Sequence, residues 1–329
     1  MGEKIEKELK WAVLGTGIIA NEMAQALEKM GKKLYAVANR THGKAVEFAE
    51  KYGVQKVYDK IEDMFTDKET DIIYITTPHN THIKFMIEAL KNGKHVLCEK
   101  SITLNSEELE EAVKIAKEKD FILGEAMTIF NMPLYTELSE IVNSGKLGDV
   151  KMIQVNFGSY KEYDMNNRFF NRNLAGGALL DIGVYAISIT RLFMTSKPDN
   201  VLSQVKYAPT GVDEQVGIIM MNKEQQMSTI ALTLHSKQPK RVVIACEKAY
   251  IEITEYPRAD KAKIVYTETG EVEEITAGMT SNALQYELQN MEESVKTGIN
   301  KMKLEYTIDV MDIMTKLRKE WGMTYPEEE

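Results

Sequence analysis

Apolar and polar positions along this chain follow two rhythms. Over the first 128 residues, short apolar runs alternate with amphipathic stretches. The runs at 11–14, 34–38, 56–58, 71–76, 95–98 and 121–124 read as buried strands. Helical patterns fill 18–29 and 43–51. A further helix carries Ile83, Met86, Ile87 and Leu90 at offsets of three, four and seven, which is one face. Asn105 or Ser106 caps another, whose inward side is Leu109, Ala112, Val113 and Ala116. Strand and helix in such alternation imply a parallel, doubly wound sheet.

From about residue 149 the strand-like runs crowd together, at 150–160, 201–208, 214–222, 227–235, 242–247 and 249–254. Turns such as Asn222-Lys223-Glu224 leave no room for helical crossovers, so most of these strands must pair antiparallel. Helices are expected at 178–195, 284–297 and 304–321. The expected architecture is therefore α/β in two parts. Residues 1–128 form a doubly wound parallel sheet, and 129–329 an α/β domain with a large open, mostly antiparallel sheet. Helices on one face leave the other bare, with Ile218, Met220 and Ile230 expected on it. Broad apolar area is seldom left to solvent, which predicts a two-fold dimer formed sheet to sheet.

Composition narrows the function classes. Asp and Glu total 50 against 41 Lys and Arg, a net charge of -9 with no basic tract. Such a chain lacks the footprint that a nucleic-acid backbone requires. No apolar run reaches the roughly 18 residues of a membrane span, and the charged start MGEKIEKELKW has no signal-like core. Only Cys98 and Cys246 occur, so a disulfide framework is excluded, and a reducing, cytoplasmic compartment is expected. The 19 Met residues are scattered and read as adaptable core filling. The partner left by this filter is a small molecule.

The chemistry begins where the first strand meets its helix. Gly15-Thr16-Gly17-Ile18-Ile19-Ala20 is a G-x-G-x-x-A fingerprint in the strand–turn–helix context that its mechanism demands, that of a Rossmann sheet. Gly15 permits the tight turn, Gly17 lets a pyrophosphate approach the backbone, and Ala20 keeps the helix close to the sheet. The diphosphate would sit on unpaired N–H groups at the positive helix end. An NAD site usually offers a carboxylate at the end of the second strand, roughly 20 residues on. Here Asn39 and Arg40 stand instead, and a guanidinium suits the 2′-phosphate of NADP. The expected cofactor is NADP, with NAD as the second option.

Three further segments fall where ligands bind in open α/β sheets. Thr77-Pro78-His79-Asn80-Thr81-His82 follows the fourth strand and would meet the nicotinamide ribose. His79 and His82 could pair on a metal, but no third ligand lies at a recognisable spacing, so no metal is expected. Glu99-Lys100-Ser101 follows the fifth strand, where a lysine can meet cofactor and substrate. Finally Gly176-Gly177-Ala178-Leu179-Leu180-Asp181-Ile182-Gly183-Val184-Tyr185 opens the helix at 178–195, with Asp181 and Tyr185 on one face. A tyrosine with its ordinary pKa of about 10 is a poor base near neutrality. A nearby ammonium would lower it.

EK at the fifth strand end, D-x-G-x-Y in GGALLDIGVY, and the first-strand fingerprint together resemble the Gfo/Idh/MocA oxidoreductase family, along nearly the whole chain. Val96-Leu97-Cys98-Glu99-Lys100, Gly124-Glu125-Ala126-Met127 and Thr210-Gly211-Val212-Asp213-Glu214 resemble its dimeric dihydrodiol dehydrogenase branch. The resemblance implies that Lys100 and Tyr185 carry catalysis, with Asp181 in support. It also implies reversible hydride transfer between NADP(H) and a secondary alcohol or carbonyl of a sugar, polyol or cyclic diol. Arg168 and Arg172 are candidate substrate contacts. The family pattern reads Glu-Lys-Pro, and Ser101 in place of the proline is expected to loosen the loop that bears Lys100. Two other roles within the family stay open. A non-catalytic dinucleotide-binding regulator is disfavoured by the intact Lys100, Asp181 and Tyr185. An NAD-retaining glycoside hydrolase is disfavoured by Arg40.

Overall fold

The computed structural model describes residues 8–329, so most of the charged N-terminal stretch, residues 1–7, lies outside the described residues. The first part alternates as its hydrophobic pattern requires: β1 (Trp11–Leu14), α1 (Ile18–Lys29), β2 (Ala36–Ala38), α2 (His42–Tyr52), β3 (Lys56–Tyr58), α3 (Ile61–Thr66), β4 (Ile72–Ile75), α4 (His82–Lys91), β5 (His95–Glu99), α5 (Ser106–Lys119) and β6 (Leu123–Ala126). The strands form one parallel sheet in the order β3-β2-β1-β4-β5-β6. This is the doubly wound dinucleotide order, with the reversal between β1 and β4. Helices cover both faces, so β1 and β4 are buried at every residue. At the start of α5 the Asn105 side chain accepts a hydrogen bond from the Glu108 N–H at 2.9 Å. Glu107 and Glu108 in its first turn and Lys117 and Lys119 in its last complement the helix dipole.

Two helices follow, α6 (Thr128–Asn131) and α7 (Pro133–Asn143), before the second sheet begins with β7 (Val150–Gly158). A π-helical turn at Leu179–Gly183 runs into α8 (Val184–Phe193) where one continuous helix was expected. Then come β8 (Asn200–Tyr207), β9 (Asp213–Met221), β10 (Met227–Thr233), β11 (Gln238–Cys246), β12 (Ala249–Thr254), β13 (Lys261–Tyr266) and β14 (Val272–Thr276). Their order is β14-β13-β12-β11-β7-β10-β9-β8. Every neighbouring pair is antiparallel except β7 with β10.

One face of this sheet packs against α8, and the period of two decides which residues face it. Ile218, Met220 and Ile230, expected on the bare face, are 2%, 1% and 3% exposed and belong to the core. Their neighbours Leu202 and Ile219 point outward instead, 62% and 47% exposed, as does Val272 at the far edge, 52% exposed. The expectation had the alternation one residue out of step. Residues 172–193 are the one described stretch long and apolar enough to span a bilayer, with mean hydropathy 1.3, but 83% of it is buried inside the protein. It is a core segment.

The chain ends by returning to the first sheet. In α9 (Ala283–Thr297), Leu284, Leu288 and Met291 join the cluster around Trp11, Met23 and Leu27, and Met311 of α10 (Leu304–Glu320) joins the cluster on the other face. The Trp11 indole N–H donates to Glu292 at 3.0 Å. The two parts therefore share core.

Candidate active site

The loop after β1 is held open toward solvent. Gly15 has φ +115°, and a Cβ there would lie 2.4 Å from Thr76 Oγ1, so only glycine fits. Its N–H donates to the Ala38 carbonyl at 2.9 Å, pinning the loop between β2 and β4. Gly17 at the N-terminus of α1 has no neighbouring atom within 4 Å of a notional Cβ. No side chain caps that helix, so its first-turn N–H groups face open space, which fits a diphosphate. Thr16 Oγ1 accepts from Asn39 Nδ2 at 2.7 Å, and Asn39 Oδ1 accepts from the Thr41 N–H at 2.8 Å. Ile18 stands 80% exposed beside this loop, Ile19 is half-buried, and Arg40 is exposed with no hydrogen bond or ion pair among the described residues.

The loops after β4 and β5 interlock. The Thr77 hydroxyl accepts from that of Thr81 at 2.8 Å, and exposed Pro78 starts the short helical turn at His79–Thr81. His79 Nε2 lies 3.0 Å from the Lys100 carbonyl. Burial, helped by His82 and Lys100, pushes the His79 imidazole down to about 3, so it is neutral and donates to that carbonyl. His82 is fully buried, its ring between the carbonyls of Thr77 at 2.7 Å and Ser101 at 3.0 Å. It was expected to touch cofactor. Burial lowers its pKa, so the ring is neutral and its single N–H donates to one of these carbonyls, wedged between the two loops. The Glu99 carboxylate accepts from the Tyr74 hydroxyl, and burial raises its pKa.

Ser101 does not loosen its loop. The Lys100–Ser101 peptide is cis. The serine hydroxyl is fully buried and donates to the Leu180 carbonyl at 2.9 Å, a tether to the second part of the chain that proline could not make. Beyond it, Ile102 N–H donates to Glu125 Oε1 at 3.1 Å and Thr307 to Oε2 at 3.0 Å, while burial pushes Glu125 up to about 7.

The opposing wall is built on Gly176 and Gly177. A Cβ on Gly176 would meet the Arg168 carbonyl at 2.7 Å. Gly177, at φ +125°, would press Asp213 Oδ1 at 2.2 Å. Asp213 Oδ2 accepts from the Leu179 N–H at 2.6 Å, where the helix begins. The π turn and the start of α8 then present Asp181 and Tyr185 to Lys100, and such turns recur at functional sites. Lys100 Nζ donates to the Asp181 carbonyl at 2.7 Å, lies 3.6 Å from Asp181 Oδ1, and sits 4.8 Å from the centre of the Tyr185 ring. Arg168 reaches the same Oδ1 at 3.6 Å.

The electrostatics follow from this packing. Burial alone would lower Lys100, but Tyr185 and Asp181 hold it above its usual value, so it stays an ammonium. Burial alone would raise Asp181, and Lys100 and Arg168 hold it below the usual carboxylate range. Tyr185 corrects the expectation. Burial raises it above 10, and the opposing pull of Lys100 does not win.

Arg172 is not part of the site. Its guanidinium donates to the Thr324 carbonyl at 2.8 Å and to Thr324 Oγ1 at 3.1 Å, and pairs with Glu329. Sequence reasoning passed over Lys161, whose ammonium lies 4.1 Å from the Phe169 ring centre, with the Arg168 guanidinium 4.2 Å from the same ring. It also passed over Arg258, which pairs with Glu22 of α1 at 2.8 Å. A lysine just beyond a strand end was the signal that singled out Lys100, and it would have served for Lys161 after β7. A cavity of about 590 Å³ opens elsewhere, beside Val142, Leu192 and Tyr306, and takes in none of these groups.

A glycine loop at the switch point of a parallel sheet, with a lysine and a tyrosine meeting at the seam to a second, open sheet, defines a two-part dinucleotide-dependent oxidoreductase. The family model described as "Oxidoreductase family, NAD-binding Rossmann fold" matches residues 9–127, and the "GFO/IDH/MocA C-terminal domain" matches 135–252. Trans-1,2-dihydrobenzene-1,2-diol dehydrogenase of Xenopus laevis is 30% identical over 329 residues, covering 96% of this chain and 99% of its own. The enzyme of the same name from Homo sapiens is 26% identical, covering 97% and 99%. Among solved structures, the 3-ketoreductase KijD10 from Actinomadura kijaniata, as a variant complexed with TDP-benzene and NADP, superposes with TM-score 0.85 at 18% identity, over 95% and 98% of the two chains. Levoglucosan dehydrogenase complexed with NADH and levoglucosan does so with TM-score 0.86 at 16% identity, over 96% and 98%. The chain belongs to the GFO/IDH/MocA family of NAD(P)-dependent oxidoreductases.

Proposed function

We propose that this protein transfers hydride reversibly between NADP(H) and a secondary alcohol or carbonyl of a sugar, polyol or cyclic diol, with Tyr185 as general acid and base. The observation that carries this reading is the convergence of Lys100 Nζ on Asp181 and on the Tyr185 ring, at the carboxyl edge of the parallel sheet. The bound nicotinamide supplies or accepts the hydride. Gly15, Thr16, Gly17, Ile18 and Ile19 would hold its diphosphate, Asn39 and Arg40 its adenosine ribose and phosphate. Thr77, Pro78 and His79 would border the nicotinamide side, with Glu99 beneath.

Tyr185, protonated at neutral pH, gives its proton to a carbonyl oxygen in reduction and takes it back in oxidation. Lys100 remains charged, stabilises the phenolate left behind and donates a hydrogen bond to the reacting oxygen. Asp181 positions Lys100. The relatives named for diol, sugar and keto substrates support this class of substrate. An NADP-coupled absorbance screen over sugars, inositols, dihydrodiols and dicarbonyls tests it. Turnover that Tyr185→Phe leaves intact would refute the assignment.

The bare face of the second sheet carries Leu202, Ile219 and Val272 at the surface, with half-buried Met152 and Met227 between them. A second copy of the chain is the proposed cover.

A further inference from the structure

The mouth of the site carries more positive charge than its carboxylate answers. Asp181 lies 3.6 Å from both Lys100 and Arg168, so its one charge is shared by two cations. Lys240, further round, is paired with Glu255 at 2.9 Å. Lys161 has no hydrogen-bonding or ion-pair partner for its ammonium among the described residues. It lies against the Phe169 ring, which it shares with Arg168.

The position is nonetheless built. The Lys161 N–H donates to the Leu234 carbonyl at 2.8 Å, and its own carbonyl faces His235 Nδ1 at 3.2 Å, extending the β7–β10 pairing past the end of both strands. Arg168 is fixed by the turn that ends with Gly177 N–H donating to the Phe169 carbonyl at 2.9 Å. Lys161 is half-buried, and burial lowers its pKa; Asp181 opposes, while Arg168, Lys100 and Lys240 push the same way as burial. Holding surplus like charge together in a chain of net charge -9 costs stability that an arriving anion would restore.

We infer that the substrate carries a carboxylate or a phosphate away from its reacting carbon, and that Lys161 and Arg168, spaced by the Phe169 ring, bind that anion and so select acidic over neutral substrates. This rests on the reaction proposed above, since it places the non-reacting end of the same molecule. Arg168 exchanges part of its contact with Asp181 for the anion, leaving Asp181 to Lys100.

The test uses matched probes on one ring: a neutral hexose, its uronic acid and its 6-phosphate. Each is titrated calorimetrically into the NADP-loaded protein and assayed for coupled turnover. A charge-assisted contact predicts that at least one charged probe binds about 10- to 100-fold more tightly than the neutral parent. The advantage should shrink on adding salt. Lys161→Gln and Arg168→Met should each remove most of it. Comparing the uronic acid with the phosphate shows which anion is meant. Equal or tighter binding of the neutral hexose, no binding of either charged probe, or an advantage that survives both variants would overturn the inference. Turnover without charge preference would sink the anion site alone. Charge-selective binding without Tyr185-dependent turnover would instead sink the proposed reaction.

Discussion

Removing the Lys100 ammonium should slow both directions of the reaction and move its pH dependence upward. At 4.8 Å from the ring centre, with an effective dielectric of about 20, a unit charge is worth about 3 kcal/mol, or roughly a hundredfold in an equilibrium. That interaction favours phenolate, which starts the oxidation and is left behind by the reduction. Burial still holds the phenol above 10, so the sign is fixed. Oxidation should rise with pH through 9 and 10 without a plateau, while reduction should be flat across neutrality and fall only above 10. In Lys100→Met the phenol ionises at higher pH still. Oxidation at pH 9 and reduction at pH 7 should both drop in kcat/KM, by up to about 10²-fold, because they share one transition state in which the Tyr185 proton is in flight beside Lys100. Tyr185→Phe should lower both by about 10²–10⁴-fold. The assay is absorbance at the nicotinamide band, in both directions, from pH 6 to 10.5. An oxidation plateau below pH 8, or rates in Lys100→Met that match those of the unaltered protein, would show that Lys100 does not act on the Tyr185 proton.

Arg40→Ala should remove most of an NADP preference of about 10- to 100-fold, and Asn39→Asp should reverse it; fluorescence titration of both cofactors decides, and equal affinities in the unaltered protein would place Arg40 in solvent. Light scattering should give twice the 37.4 kDa chain mass, and Ile219→Glu with Leu202→Glu should halve it; a monomer mass for the unaltered chain would leave the bare sheet without its proposed cover. Gly177→Ala should cost about 1–3 kcal/mol in a thermal melt, because of its φ of +125° and the crowding of Asp213, and should lower turnover as well. An unchanged melting temperature would show that the turn can relax.

The parallel sheet was legible because buried strands read as unbroken apolar runs and because glycine placement reported a backbone need at Gly15. Helix α3, six residues long, and α6, four, carry too few turns to show a period. The hairpin β13–β14 was missed because its outward residues include Lys261, Lys263 and Glu274, and a strand charged on one face resembles a loop. The parallel pairing of β7 with β10 leaves no mark in local sequence. Arg168 and Arg172 looked equivalent, since only the folded C-terminal segment shows that Thr324 and Glu329 occupy the second. The direction of the Tyr185 shift was also hidden. Two opposing effects of similar size, burial and Lys100, can be ranked only once the depth of the ring is known.

The site depends on how the two parts of the chain are joined, because neither holds it alone. Lys100 follows the end of β5, and Asp181 and Tyr185 come from the π turn and the start of α8, more than eighty residues later. Three kinds of tether cross this seam. Ser101 and Lys100 donate to successive carbonyls of the π turn, at Leu180 and Asp181. Arg258 binds Glu22 on the dinucleotide helix. The C-terminal segment reaches across from Tyr325, whose hydroxyl donates to the Gly176 carbonyl at 2.6 Å, to Glu328, which accepts from Asn105 at 2.8 Å. An α-helical turn keeps its carbonyls for its own N–H groups. The π turn is where the helix can offer Asp181 to a lysine from the other sheet without losing its path. The distance between Lys100 and Tyr185 is thus set by backbone contacts rather than by the reach of two flexible side chains. An acid–base pair must be held to within a fraction of an ångström, and that arrangement supplies the rigidity before any ligand arrives.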